Sequence, residues 1–243
     1  MDFVTANWKA PKHVHALTTT RLGGVSQGVF AALNVGDHVS DLELDVRKNR
    51  ELLSSSLKLS REPQWLSQVH GIELVQAQDD AVRREADACW TDEKGLACVV
   101  MTADCLPVFF SDSAGSKVAV AHAGWRGLLN GVLENTLSLY PDPSDVHVWF
   151  GPAIGPDAFE VGAEVREQFC DNSREASVAF KPVDSKHTKY LANIYELAAM
   201  RLRSQGVVNV SSSDLCTYSD SERFYSYRRD GQTGRLASLI WLE

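Results

Sequence analysis

Two histidines and one cysteine are the residues of this chain best suited to chemistry. His70, Cys105 and His122 each stand near a glycine or a proline, in the segments QVHG (68–71), TADCLP (102–107) and HAGWRG (122–127). Two imidazoles and one thiolate suit Zn²⁺, and three protein ligands leave a fourth position for water or substrate. A structural zinc site would need a fourth Cys or His, and no CxxC or HxxxH pair supplies one. The set therefore predicts a catalytic zinc site.

The local context of these residues supports the prediction more than their spacing does. Steps of 35 and 17 residues match no compact metal motif. However, the apolar runs at 96–102 and 117–121 predict buried strands, which would place Cys105 and His122 just past strand ends. Loops after strands are where α/β folds place their chemistry.

Several polar side chains could act on a substrate beside the metal. Arg126 lies at a predicted helix start, and Arg228 with Arg229 forms a pair in a turn, so these guanidiniums could bind phosphate or carboxylate. Tyr227 could stack on a base or a sugar. The alternative for the arginine pair is a solvated surface turn.

Two further residues are predicted to take part in acid–base chemistry. Asp104 precedes Cys105, and His38 lies in a glycine-bounded loop, so either could be the acid–base group or could orient a ligand imidazole. The sequence does not choose between them. Asn34 and Gln68 could bind substrate or hold their loops, and the structural role is favoured for Gln68.

The composition limits the partners and the compartment. The formal net charge of -8 argues against a nucleic-acid-binding surface. The first residues show no signal-peptide pattern and no apolar run is long enough for a membrane span, while five irregularly spaced cysteines suit a reducing cytoplasm. We therefore expect a cytoplasmic protein with a small-molecule substrate and no evident obligate protein partner.

The hydrophobic pattern predicts an α+β fold with mixed β-sheets flanked by helices, in one compact domain spanning residues 1–243. Strands are predicted at 15–19, 64–68, 73–77, 86–91, 97–102, 107–111, 117–121, 146–150 and 236–241. Helices are predicted at 46–57, 127–139, 162–169 and 194–205. Asp41 or Asp45 would open the first helix, and Gly206 would end the last.

Seven ordered motifs resemble those of one known family. Besides the three segments given above, they are TRLGGVS (20–26), LNVGDH (33–38), GPAIGP (151–156) and FYSYRRDG (224–231). Together they resemble the YfiH-like family, also called laccase-like purine nucleoside phosphorylases or peptidoglycan editing factors. The resemblance runs from about Trp8 to Trp241. It implies a fold similar to that of toxin-deamidase-like cysteine hydrolases.

The resemblance also implies a function. It suggests a zinc enzyme that phosphorolyses adenosine, inosine and methylthioadenosine and deaminates adenosine, or else an amidase that removes L-serine from UDP-MurNAc. The laccase label implies Cu²⁺ and phenol oxidation, but a multicopper oxidase needs more clustered histidines than the seven of this chain can supply. Asn193 stands where family members often have Asp, which makes a catalytic role for that carboxylate doubtful.

Two alternative functions that do not use metal catalysis are also compatible with the sequence. Cys105 could be a nucleophile with His122 as its base, although His70 then has no role. The chain could also be a metal-stabilised binding module without activity.

Overall fold

Fifteen strands and six α-helices run through the 243 residues that a computed structural model of the chain describes. The strands are β1 (Phe3–Thr5), β2 (Val14–Thr19), β3 (Leu66–Ser67), β4 (Leu74–Gln76), β5 (Arg84–Glu85), β6 (Ala88–Thr91), β7 (Cys98–Thr102), β8 (Leu106–Asp112), β9 (Val118–Ala123), β10 (Val146–Phe150), β11 (Glu160–Gly162), β12 (Phe180–Pro182), β13 (Lys189–Ala192), β14 (Asn209–Ser212) and β15 (Leu236–Leu242). The α-helices are α1 (Glu43–Ser56), α2 (Trp125–Asn130), α3 (Val132–Leu137), α4 (Ala163–Asn172), α5 (Ile194–Ser204) and α6 (Tyr227–Asp230).

Two large sheets stack face to face in the middle of the molecule. The first has the strand order β1-β2-β15-β7 and is antiparallel throughout. The second has the order β14-β10-β8-β9-β6-β4, with parallel pairs at its two edges and antiparallel pairs between them. Helix α1 packs on the outer face of the first sheet, and α2 to α5 pack on the outer face of the second. The result is a four-layer αββα sandwich, and the predicted α+β class with mixed sheets is confirmed.

Strand β9 shows how the sequence builds these layers. Successive side chains of a strand point to opposite faces. Val118 and Val120 accordingly lie in the core between the two sheets, whereas Ala119 and Ala121 face the helices. All six residues of β9 are buried, as expected for a strand covered on both sides. The same alternation places His122 on the face that looks toward the first sheet.

The structure corrects three predictions of local structure. The helix predicted at 127–139 is two helices, because Gly131 adopts a φ of 106° that ends α2 and starts α3. Helix α1 starts at Glu43 after an N-cap at Leu42, so neither Asp41 nor Asp45 opens it. His122 lies inside β9 rather than past its end.

Most of the elements that the sequence did not predict are short strands, and one is the short helix α6, which holds the arginine pair predicted to lie in a turn. Six unpredicted strands have two to four residues each, too few for a clear alternation: β1, β5, β11, β12, β13 and β14. None of the six α-helices combines the length and the apolar character that a membrane crossing requires.

Candidate metal centre

The three predicted ligands meet at one end of the stacked sheets. The ligand atoms of His70, Cys105 and His122 all lie within 4.8 Å of one another. Cys105 Sγ is 3.8 Å from His70 Nε2, and the two imidazole rings pack edge to face with centroids 4.7 Å apart. His70 is exposed, Cys105 is half-buried and His122 is buried, so the cluster opens to solvent on the His70 side.

Each ligand comes from a different part of the fold. Cys105 stands in the short connection between β7 and β8, which belong to different sheets. His122 is on β9, in the position that faces the first sheet, and His70 is in the loop between β3 and β4. The connection that passes from one sheet to the other therefore brings the thiol beside the β9 imidazole.

The donor set and its spacing fit a tetrahedral zinc ion. With bonds of about 2.0–2.3 Å, two ligand atoms of such an ion lie roughly 3.4–3.7 Å apart. The observed separation of 3.8 Å between Cys105 and His70 is already close to this value. Small side-chain adjustments would therefore close the site around an ion, with one position left for water or substrate.

A buried carboxylate that the sequence analysis missed holds both histidines. Asp87 Oδ1 accepts hydrogen bonds from His122 Nδ1 at 2.8 Å and from the backbone N–H of His70 at 3.0 Å. Its Oδ2 accepts the backbone N–H groups of Val69 at 3.1 Å and Gly71 at 2.6 Å. Because Nδ1 of His122 keeps its proton in this bond, Nε2 is the nitrogen left to bind an ion, once it has given up its own proton.

Asp87 could have been suspected from its neighbours in the sequence. It is fully buried and lies between Ala86 and Ala88, just before an apolar strand. A carboxylate in such surroundings needs hydrogen-bond donors, since a buried unpaired charge is costly. Burial raises the pKa of Asp87, but the hydrogen bond and charge of His122 and the backbone N–H donors lower it overall.

The pKa values of the thiol and the imidazole favour a charged pair. Burial raises the pKa of Cys105, but the charge of His122 and hydrogen bonds from His122 and His70 bring it down to about 6. Burial lowers the pKa of His122, but the charges and hydrogen bonds of Cys105 and Asp87 raise it to about 9. Between these values a thiolate faces an imidazolium in the metal-free protein. Cys105 is therefore held in the form that binds metal.

The backbone around the ligands is tight. His70 has a φ of 61° and Asp104 a φ of 90°, in a left-handed region that costs non-glycine residues about 1–2 kcal/mol. At Gly124 a Cβ atom would lie 2.7 Å from His70 Cδ2 and 3.1 Å from Cys105 Sγ. Glycine is thus required at this position because a methyl group would occupy the space of the ligands.

Asp104 does not orient an imidazole, which corrects one alternative predicted for it. Its Oδ1 accepts the hydroxyl of Thr217 at 2.6 Å, and its Oδ2 accepts the hydroxyl of Ser226 at 3.0 Å and the backbone N–H of Arg228 at 2.7 Å. The carboxylate thereby ties the turn before Cys105 to the start of α6. This is a structural role beside the metal centre.

His38 makes no hydrogen bond to a ligand imidazole either, and the carboxylate beside it is that of Asp37, with Nδ1 3.6 Å from Oδ1. Asn34 is buried and saturated: its amide group bonds to the backbone of Gly36, to the Asp41 carboxylate and to the N–H of residue 235, so it is a loop anchor rather than a free substrate contact.

Two amide side chains have clear structural roles. Gln68 pairs with both the N–H and the C=O of Met101, as the sequence analysis favoured. Asn193 caps α5 by accepting the N–H of Glu196 at 3.1 Å. An aspartate could make the same cap, so the Asn found here keeps the structural function of that position.

The three predicted anion-binding arginines differ in availability. Arg229 uses its donors on the Asp230 carboxylate and on the backbone carbonyls of Thr217, Tyr218 and Phe224, which leaves none for a substrate.

The other predicted substrate contacts are exposed. Arg228 donates to the carbonyl of Glu160 and lies over the Phe159 ring. Arg126 is exposed and lies over the ring of Trp125. Tyr227 is 61% exposed at the start of α6. The structure thus leaves Arg126 and Tyr227 accessible, whereas Arg228 already has protein partners.

A known family matches nearly the whole length of this chain. Residues 15–243 match the family model described as multi-copper polyphenol oxidoreductase laccase, and the chain belongs to this family. The chain is 50% identical over 242 residues to a purine nucleoside phosphorylase of Pseudomonas aeruginosa, covering 99% of this chain and 98% of that protein. It is 48% identical to the purine nucleoside phosphorylase YfiH of Escherichia coli K12, with 98% of each covered.

A solved structure confirms the fold. The crystal structure of Neisseria meningitidis protein NMB0706 superposes with a TM-score of 0.95 at 47% identity and covers 100% of both chains. The resemblance to YfiH-like proteins that the seven motifs indicated is therefore confirmed.

Proposed function

We propose that this protein is a zinc-dependent enzyme that acts on purine nucleosides. It would cleave the glycosidic bond of adenosine, inosine and methylthioadenosine with phosphate, giving the free base and ribose 1-phosphate, or methylthioribose 1-phosphate from methylthioadenosine, and would also deaminate adenosine. The observation that carries the proposal is the cluster of His70, Cys105 and His122 with Asp87 behind it. The names of the relatives support the choice of purine nucleosides as substrates.

The proposal gives each residue of the site a task. His70, Cys105 and His122 would hold the ion, and Asp87 keeps the proton of His122 on Nδ1. Bound zinc supplies a Lewis acid and lowers the pKa of a coordinated water to about 7. The exposed side of His70 admits the substrate, and the ring of Tyr227 would stack on it.

Two further residues keep a proposed role. His38, whose side chain is 48% exposed, would exchange protons with the substrate. Arg126 would contact the phosphate as an exposed cation close in sequence to His122.

Zinc is proposed over copper because the chain has one potential metal site, with three protein ligands. Among all its His, Cys, Asp and Glu side chains, one group of three comes close enough to share an ion. A multicopper oxidase needs several such centres. Phenol oxidation would thus have to use one copper in the same His-Cys-His site, and elemental analysis of the purified protein distinguishes the two metals.

One experiment tests the substrate class. The purified protein is offered adenosine with phosphate, adenosine alone, and UDP-MurNAc-L-serine, and the specificity constants are compared because discrimination is set by their ratio. We expect phosphate-dependent release of adenine to dominate. A larger constant for the UDP-MurNAc substrate would replace the proposal by the amidase. Cys105→Ala must abolish the activity, whereas Cys170→Ala, on α4, must retain it.

A second candidate function is favoured by Asp87. Asp87, His122 and Cys105 are also arranged as a carboxylate, an imidazole base and a thiol nucleophile, as in a cysteine hydrolase. This function gives His70 no role. Removing the metal with a chelator separates the two cases, because a thiol hydrolase would keep its activity and the zinc enzyme would lose it.

We further propose that the protein acts in a reducing compartment such as the cytoplasm. All five cysteines are free, and Cys105 must remain a thiolate to bind metal. The substrate would be a small molecule, and no nucleic-acid or membrane partner is proposed.

A further inference from the structure

Arg235 lies at the edge of the sheet from which the Cys105 turn also leaves. Strand β15 begins at Leu236, which is paired with Thr102, the last residue of β7. In this antiparallel pair, Arg235 comes immediately before Leu236 and the turn to Cys105 comes immediately after Thr102. Both therefore leave the sheet at the same end, beside the metal centre.

The electrostatic surroundings agree with this placement. Burial lowers the pKa of the Arg235 guanidinium, while the nearby charges of Cys105, Asp104 and Tyr227 act to raise it. The guanidinium thus lies within electrostatic reach of a metal ligand. None of the three residues forms an ion pair with it.

Two of the three guanidinium nitrogens of Arg235 have no hydrogen-bond partner in the protein. Nη1 donates to the carbonyls of Thr233 at 3.1 Å and Gly234 at 3.0 Å, but Nε and Nη2 make no hydrogen bond. The residue is also held in place, because its N–H donates to Asn34 Oδ1 at 2.8 Å and its Cγ packs closely on Gly36. The result is a fixed, half-buried cation with its Nε–Nη2 edge unused.

Two other arginines with mainly buried side chains, Arg50 and Arg229, are neutralised by carboxylates. Arg50 is also largely buried, and its Nη2 lies 3.4 Å from the Asp37 carboxylate. Arg229 forms an ion pair with Asp230 at 2.7 Å. Buried charges are normally paired because their desolvation is costly. The unpaired state of Arg235 therefore indicates that its anion is a ligand.

We propose that the Nε–Nη2 edge of Arg235 is the main phosphate-binding group of this active site. The two parallel N–H groups match two oxygens of one phosphate ion. The proposal rests on the proposed phosphorylase function for the identity of the anion. It assigns the phosphate to an arginine outside the Arg126, Arg228 and Arg229 set that the sequence predicted.

Phosphate binding and phosphate kinetics test the proposal separately. The protein as purified is titrated with inorganic phosphate by calorimetry, and the KM for phosphate is measured at saturating inosine. In Arg235→Met we expect both the Kd and the KM for phosphate to rise about 10- to 100-fold, since a hydrogen-bonded charge pair is lost, and the KM for inosine to stay at the wild-type value. Arg235→Lys keeps the charge but loses the bidentate edge, so its Kd and KM for phosphate should lie between those of the wild type and those of Arg235→Met.

Arg61→Met is the matched control, because it removes the same charge from an exposed pair with Glu93. It should leave phosphate binding unchanged. An unchanged phosphate Kd in a folded Arg235→Met protein, checked by its melting temperature, overturns the proposal, and so does wild-type binding of acetate in preference to phosphate. If the wild type binds phosphate through Arg235 but cleaves no nucleoside, the phosphorylase function fails and the anion site stands.

Discussion

Replacing Asp87 by asparagine tests whether this carboxylate supports metal binding by His70 and His122. Asp87 bonds to two of the three ligand-bearing segments, to His122 Nδ1 on β9 and to three backbone N–H groups of the His70 loop, those of Val69, His70 and Gly71. All four partners are donors. An asparagine offers one acceptor oxygen and one NH₂ group. Whichever way its amide is turned, two of the four donors therefore face the NH₂ group and lose their acceptor.

The two orientations of the asparagine fail in different ways. If NH₂ replaces Oδ2, the N–H groups of Val69 and Gly71 lose their acceptor and the loop that carries His70 is released. If NH₂ replaces Oδ1, His122 has to accept through Nδ1, which moves its proton to Nε2 and blocks the metal-binding lone pair. Loss of such a carboxylate partner typically weakens metal affinity about 10- to 100-fold, or about 1.4–2.7 kcal/mol.

The assay is competition for Zn²⁺ against a chromophoric chelator, together with thermal unfolding of the metal-free protein. Asp112→Asn is the matched control, since Asp112 also accepts backbone N–H groups in a turn, from Ser116 at 2.7 Å and Lys117 at 3.3 Å, but at the end of β8 away from Cys105. We expect both variants to unfold at lower temperature and only Asp87→Asn to bind zinc more weakly. Wild-type zinc affinity in Asp87→Asn would show that Asp87 is a loop anchor alone, and the reasoning would be refuted.

Three further predictions concern the ligands and the space around them. Cys105→Ala should lower the zinc content from about one ion per chain to nearly none by elemental analysis, and full retention would exclude Cys105 as a ligand. In the metal-free protein, alkylation of Cys105 by iodoacetamide should rise with a midpoint near pH 6, because the lowered pKa makes the thiolate abundant above that pH; a midpoint at the ordinary value of about 8.5 would contradict the pairing with His122. Gly124→Ala should weaken zinc binding in a folded protein, because its methyl group would lie 2.7 Å from His70 Cδ2, whereas at Gly71 a Cβ meets nothing closer than 3.4 Å and Gly71→Ala should retain the metal.

The sequence predicted the clustering of His70, Cys105 and His122 because that prediction depends on side-chain chemistry. It also predicted the long strands and the mixed α+β class, since β7, β8, β9 and β15 are buried runs with a clear apolar pattern. It did not predict the break at Gly131, because apolar residues continue at helical spacing on both sides of it. Only the left-handed φ of 106° at that glycine separates α2 from α3.

Supporting residues were harder to predict because their partners are distant in sequence. Asp87 bonds to residues 17 and 35 positions away, and no local pattern connects them. Arg235 leaves the sheet at the same end as the Cys105 turn only because β15 pairs with β7 in a register that sets Leu236 opposite Thr102. Such a register is a property of the folded sheet.

Asp104 shows why closeness in sequence to Cys105 does not predict which carboxylate supports the ligand histidines. It immediately precedes Cys105, yet its carboxylate bonds to Thr217, Ser226 and the start of α6. Its φ of 90° turns the chain sharply between β7 and β8, and adjacent side chains in such a turn diverge. The residue next to a ligand is therefore poorly placed to support another ligand across the site. The supporting carboxylate is that of Asp87, the residue just before β6, which bonds to His122 on the neighbouring strand β9. It follows that variants of Asp104 should act on the stability of the Cys105 turn, and variants of Asp87 on the metal itself.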